Sequence, residues 1–147
     1  MKKSVSELVN GLRDKDATHA YECLKLLLVE SGSSDSVYAH FDEFSDMLDD
    51  SNSYIRTRAI RLISSNAQWD TENKIDEIIN RYLQHIADDK PITARQCIKA
   101  LPEIAKRKPE LVNDIRFALQ GANLISYSDS MAALVAKDIS AAIKEIG

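Results

Sequence analysis

Apolar residues take helical spacing along nearly the whole chain. The sets Val5, Leu8, Leu12; Phe41, Phe44, Leu48; Ile79, Tyr82, Ile86; and Phe117, Gln120, Leu124 are each spaced by three and then four. That spacing brings side chains onto one helical face. Each set is followed by a second mark: "CLKLL" from 23, "AIRLI" from 59, "CIKAL" from 97 and "VAKDI" from 135. All four pentapeptides open on a small or β-branched apolar residue, place a base third (Lys25, Arg61, Lys99 and Lys137) and close on Leu or Ile. Both marks recur at intervals of 36, 38 and 38 residues. Two independent marks in one register indicate a repeated supersecondary unit.

Between the marks lie "RDKDAT", "DDSNSY", "DDKPIT" and "SYSDSM", which put Asp14, Asp50, Asp88 and Ser126 in register. Asp and Ser accept hydrogen bonds from the free N–H groups at a helix start, and Pro91 suits a first helical turn because it has no N–H. Each unit therefore reads as helix A, short turn, helix B. The A helices are expected near 4–12, 36–48, 72–86 and 110–120, and the B helices near 17–30, 53–67, 91–107 and 129–146. A hairpin of this length cannot bury its own apolar face, whereas stacked hairpins share a continuous core. The expected fold is all-α, a solenoid of four hairpins (4–30, 36–67, 72–107 and 110–146) forming a single domain over residues 1–147.

The stretches "DDSNSYIRTRAIRLI" and "DDKPITARQCIKAL" resemble the HEAT consensus, with an Asp-containing turn and a helix B carrying Arg before a small residue. The likeness is closest in the two central units and looser in the outer two, as befits capping repeats. The chain is similar to short bacterial HEAT-repeat proteins of unassigned function; some of that group are linked to iron–sulfur assembly, which no residue pattern here supports. The resemblance implies a right-handed α-α superhelix with the B helices on its concave side. It also implies that the concave side binds partners.

Composition narrows the function classes. Nineteen basic and 23 acidic residues give a formal charge of −4, so the net field does not favour nucleic acid. The two cysteines form neither a disulfide framework nor a zinc motif. The N-terminal lysines are followed by no apolar core, and no apolar run is long enough to span a bilayer. A soluble cytoplasmic protein is expected, with no cofactor and no metal. A monomer is expected too, with end-to-end dimerisation as the other outcome.

Charge is distributed unevenly among the helices. The helix expected at 53–67 carries Arg56, Arg58 and Arg61 without an acid, and that at 91–107 has Arg95, Lys99, Lys106 and Arg107 against Glu103. The A helix at 36–48 carries Asp42, Glu43 and Asp46. Lys25, Arg61, Lys99 and Lys137 form a basic ladder at the repeat spacing. Facing away from Ala59, Ile60 and Ile63, the ladder should lie on the exposed side of the B helices. Arg58, Arg61, Gln96 and Lys99 are the candidate site for an acidic segment of a partner protein. In a purely structural reading, Arg56 and Arg95 would instead tie adjacent repeats by reaching the Asp of a neighbouring turn.

Other residues read more simply. Cys23 and Cys97 occupy the slot held by Ala59 and Val135, which points to the core. Trp69 is expected to pack against the next hairpin, Pro102 to kink its helix, and His19, His40 and His85 to be surface or interface residues. No phosphate loop, nucleophile elbow or HExxH pattern is present. The leading reading is a non-enzymatic protein-interaction module, an adaptor or regulatory scaffold. The alternatives are a nucleic-acid-binding or DNA-repair glycosylase-like HEAT protein, and a chaperone or lyase-type protein acting on a cofactor-bearing partner.

Overall fold

A computed structural model describes residues 3–147. Among the described residues the secondary structure is entirely helical, with eight α-helices, several 3-10 turns and no strand. The chain divides into two compact units, Met1–Lys74 and Ile75–Gly147. In the first, α1 (Val5–Gly11) packs on α2 (Ala17–Ser33), α3 (Phe41–Met47) packs on α4 (Ser53–Ser65), and α2 packs on α4. The second unit holds α5 (Lys74–Leu83, whose first residue belongs to the first unit), α6 (Pro91–Arg107), α7 (Val112–Gln120) and α8 (Asp129–Ile146). Here the 3-10 turn Gln84–Ala87 that extends α5 lies on α6, α7 lies on α8, and α6 on α8. In both units the longer B helices carry the contact between successive hairpins.

Local chemistry explains where the helices begin. Ser4 and Glu7 form a reciprocal capping box on α1. Asp16 caps α2, Asn52 caps α4 and Ser128 caps α8, while Pro91 opens α6 without a side-chain cap. The in-register aspartates act one step earlier. Asp14, Asp50 and Asp88 each accept from the backbone N–H two residues ahead, that of Asp16, Asn52 and Lys90, at 2.8, 2.8 and 2.9 Å. They fold the turn rather than cap the helix. Asn73, between the Ala67–Trp69 turn and α5, takes φ of 55°, a left-handed conformation that Asn tolerates.

The core follows the repeat in three hairpins. Leu8 and Leu12, Phe41, Phe44 and Leu48, and Ile79, Tyr82 and Ile86 are buried. The small-residue slot is buried in all four copies, as Cys23, Ala59, Cys97 and Val135. The fourth A helix departs from the expected register. Phe117 is 80% exposed, Gln120 is exposed, and Leu124 lies beyond the end of α7 at Gln120. Leu111, Ile115 and Leu119 are buried instead. Their four-residue steps turn Phe117 to the opposite side of the helix. In the last helix Val135 and Ala142 lie inside, whereas Leu134 is 42% exposed.

Long-range polar ties hold hairpins to one another within each unit. Trp69 reaches back to the first hairpin, where its indole N–H donates to the Ser31 carbonyl at 2.7 Å. The buried Asn66 donates to Ser31 Oγ and to the Leu62 carbonyl. The Tyr38 hydroxyl donates to Asp70 at 2.6 Å, and burial followed by that carboxylate pushes the phenol far above its ordinary value. In the second unit the buried Tyr127 hydroxyl donates to the Asp88 carbonyl. Desolvation and the nearby acids push Tyr127 up to about 12. Pro102 sits inside α6, which continues through it to Arg107.

Candidate functional site

The basic ladder lies on helix faces set by the buried slot two residues before it. Lys25, Lys99 and Lys137 are exposed and Arg61 is half-buried, while Cys23, Ala59, Cys97 and Val135 point inward. Lys25 places its ammonium 5.4 Å above the Tyr21 ring, a cation–π contact. Among the described residues, neither the Arg61 guanidinium nor the Lys99 ammonium has an ion-pair partner.

The four candidate residues form two equivalent pairs, one in each unit. Arg58 and Arg61 are one turn apart on α4, and Gln96 and Lys99 occupy the matching positions on α6. Arg58 is already engaged: its Nη1 donates to the Leu12 carbonyl at 2.8 Å, completing the end of α1. Burial lowers its pKa from the ordinary value, and the guanidinium stays charged. Arg58 therefore ties the first two hairpins together. The cations that face outward at this register are Arg61 and Lys99.

The other arginines of the basic helices are also committed. Arg56 is buried and donates Nη1 to the Asp50 and Ser51 carbonyls at 3.0 and 3.1 Å. Arg95 donates Nε to Asp138 at 2.6 Å, so it reaches the following B helix instead of a turn aspartate. The link from one turn to the next is made in the first unit by Arg13, 2.8 Å from Asp50. Arg107 pairs with Glu103 one turn away. The helix charges counted from sequence are thus largely consumed in structure.

A second cluster was hidden from sequence reading. Between α1 and α2 lies a groove of about 390 Å³ with apolar walls of Val5, Leu8, Leu26 and Val29. Cys23 and His19 border it from α2 and Lys3 from the α1 side. Cys23 Sγ lies 3.7 Å from His19 Nε2, and His19 Nδ1 lies 2.9 Å from Asp14 Oδ2. Lys3 Nζ stands 2.8 Å from the same Nε2. The hydrogen bond from the Asp16 amide, followed by that from His19, holds Asp14 below the ordinary carboxylate range. The separation of five and four residues between Asp14, His19 and Cys23 is the only sequence signal of this alignment, and it is common on helices.

The other cysteine differs. Cys97 is fully buried, its thiol donates toward the Tyr82 carbonyl at 3.6 Å, and desolvation pushes it far up. No group of three or more His, Cys, Asp or Glu side chains among the described residues could hold a metal ion. No helix among them is long and apolar enough to cross a membrane. Comparison with family models, curated proteins and solved structures finds no match.

Proposed function

We propose that this chain is a non-enzymatic protein-interaction module, an adaptor or scaffold, that binds an acidic segment of a partner protein. The recurrence of one hairpin at a spacing of 36 to 38 residues supports a HEAT-like solenoid, a right-handed α-α superhelix. Non-terminal hairpins in such arrays share nearly all their apolar surface, so the variable outward positions of helix B carry recognition.

One observation carries the partner chemistry. Arg61 and Lys99 hold the same repeat position, face outward and have no ion-pair partner among the described residues, whereas Arg56, Arg58 and Arg95 are engaged in the fold. Cations left in this state are suited to carboxylates of an incoming chain, which they would steer as well as bind. Gln96 lies one turn before Lys99 and supplies a neutral hydrogen-bonding group there.

The test is affinity capture from native lysate with wild-type protein beside an Arg61→Glu, Lys99→Glu variant that still melts cooperatively. Recovery of an acidic protein by wild type alone is the expected result. Capture of the same protein by both baits would remove Arg61 and Lys99 from the interface. Recovery of nucleic acid in place of protein, with a steep salt dependence, would replace this reading with a nucleic-acid one.

A further inference from the structure

The groove between α1 and α2 holds chemistry that an adaptor role does not use. Its lining holds a thiol, an imidazole, an ammonium group, the carboxylates of Glu22 and Glu30 and an apolar wall, with Asp14 hydrogen-bonded to the imidazole from outside the groove. His19 and Cys23 are four residues apart, so α2 brings them to one face, and Asp14 is held beside them by the turn it folds. Gly11 seats the thiol: a Cβ at that position would lie 2.4 Å from Cys23 Sγ. Only a residue without a side chain lets α1 approach the sulfur so closely.

The hydrogen bonds fix the state of the imidazole. An ionised Asp14 can only accept, so Nδ1 of His19 carries the proton it shares with Asp14. Nε2 then offers its lone pair, and both the Lys3 ammonium and the Cys23 thiol lie within reach of it. This is the geometry of a nucleophile, a base and the group that orients the base. Burial raises the Cys23 thiol above its ordinary value, with Lys3 opposing and Asp14 and Glu22 adding to the rise. The thiol therefore rests protonated, and its reaction needs a base at hand.

We propose that Cys23 is a modification site for apolar α,β-unsaturated carbonyl compounds, which enter the α1–α2 groove and add to the thiol with His19 as base. In the step, the Lys3 ammonium moves off His19 Nε2 to the incoming carbonyl oxygen, and the S–H proton passes to the freed Nε2 while sulfur forms a bond to the β-carbon. The C=C electron pair moves toward the carbonyl oxygen, where the Lys3 ammonium is the nearby cation. The resulting enolate takes the proton back from His19 at the α-carbon. The product is a thioether, and no oxidant or reductant is consumed. Val5, Leu8, Leu26 and Val29 would cover the hydrocarbon part of the adduct.

Cys97 serves as an internal reference. The experiment follows N-ethylmaleimide addition to the full-length protein by peptide mass spectrometry, comparing both cysteines in wild type and in His19→Gln. The expected result is native labelling of Cys23 at least about tenfold faster than Cys97, with His19→Gln reducing the Cys23 rate by about tenfold, as loss of a positioned base does. Equal labelling of both cysteines, at the rate of global unfolding, would overturn the proposal. So would a Cys23 rate unchanged in His19→Gln. Should His19→Gln fail to melt cooperatively, Asp14→Asn takes its place, because Asn keeps the turn-forming acceptor. A lowered Cys23 rate in that variant, with Cys97 unaltered, supports the proposal, and an unchanged rate rejects it.

Discussion

The Lys108 ammonium lies 2.9 Å from Asp76 in the second unit, and in the first the Lys74 ammonium lies 3.1 Å from Asp42. Each lysine follows its aspartate by the same number of residues, and each pair lies within one unit. What differs is solvent. The Lys108 side chain is 7% exposed against 26% for Lys74, and the Asp42 carboxylate is almost entirely in water. Glu110 also lies 3.3 Å from Lys108.

The two pairs should therefore differ in stability. Lys108→Met leaves Asp76 partly buried without its ammonium and is expected to cost about 2 kcal/mol, less than the roughly 3–5 kcal/mol of a fully buried pair because Asp76 keeps part of its solvent. Lys74→Met should cost about 0.5 kcal/mol or less, as exposed pairs do. Urea titration of both variants measures the contrast. Equal losses would show that burial does not set the strength of this contact.

Gly11 and Cys23 are expected to be coupled. Gly11→Ala places a methyl group 2.4 Å from the thiol sulfur and should destabilise by about 1–3 kcal/mol, the usual cost of overpacking. In a Cys23→Ala background most of that cost should disappear, since the sulfur is gone. A double-mutant cycle by thermal or urea melting reads the coupling. Additive effects would place the strain elsewhere.

Asp50 gives a pH signature. The Asn52 amide above all holds its carboxyl below the ordinary value of 3.8; burial, next in size, opposes it, and Arg13 adds to the lowering. A carboxylate whose pKa is lowered on folding contributes stability that is present above the unfolded value and is lost as pH falls through the folded one. Asp50→Asn keeps the turn acceptor but removes the charge. The stability difference between wild type and Asp50→Asn should thus be full near neutrality and fade below about pH 4. Denaturant midpoints measured from pH 7 to pH 2 check this, and a difference that persists at pH 2 would assign the effect to shape rather than charge.

Trp69 should report on the end of α2. Trp69→Phe keeps most of the apolar contact but removes the donor to Ser31, with an expected loss of about 1 kcal/mol. As the chain's sole tryptophan, Trp69 also allows its emission to follow unfolding of the first unit directly. Gln68 also donates to the Ser31 carbonyl, at 3.1 Å. A double variant with Gln68→Ala should exceed the single loss if the two donors stabilise the same carbonyl; no added loss would make the Gln68 contact incidental.

The helical hairpins are legible in the amino-acid order, because periodicity, caps and turn residues act within a few positions of each other. The B helices at 91–107 and 129–146 coincide with α6 and α8, and the Cys23, Ala59, Cys97, Val135 slot is buried in every copy. Where the local signal weakened, the register slipped: α7 buries Ile115 and Leu119, and the longer segment after it leaves Leu124 outside the helix. Tertiary structure alone decided which charges are committed. Arg58 and Arg61 share a helix and a charge, yet only Arg58 meets the Leu12 carbonyl, 46 residues away in sequence. The same holds for Asp14, His19 and Cys23, whose alignment matters because α1, through Gly11, closes against the thiol and a groove opens beside it. Hydrophobic periodicity records which face turns inward. Partners for polar groups depend on the approach of distant backbone, which leaves no periodic trace in the chain.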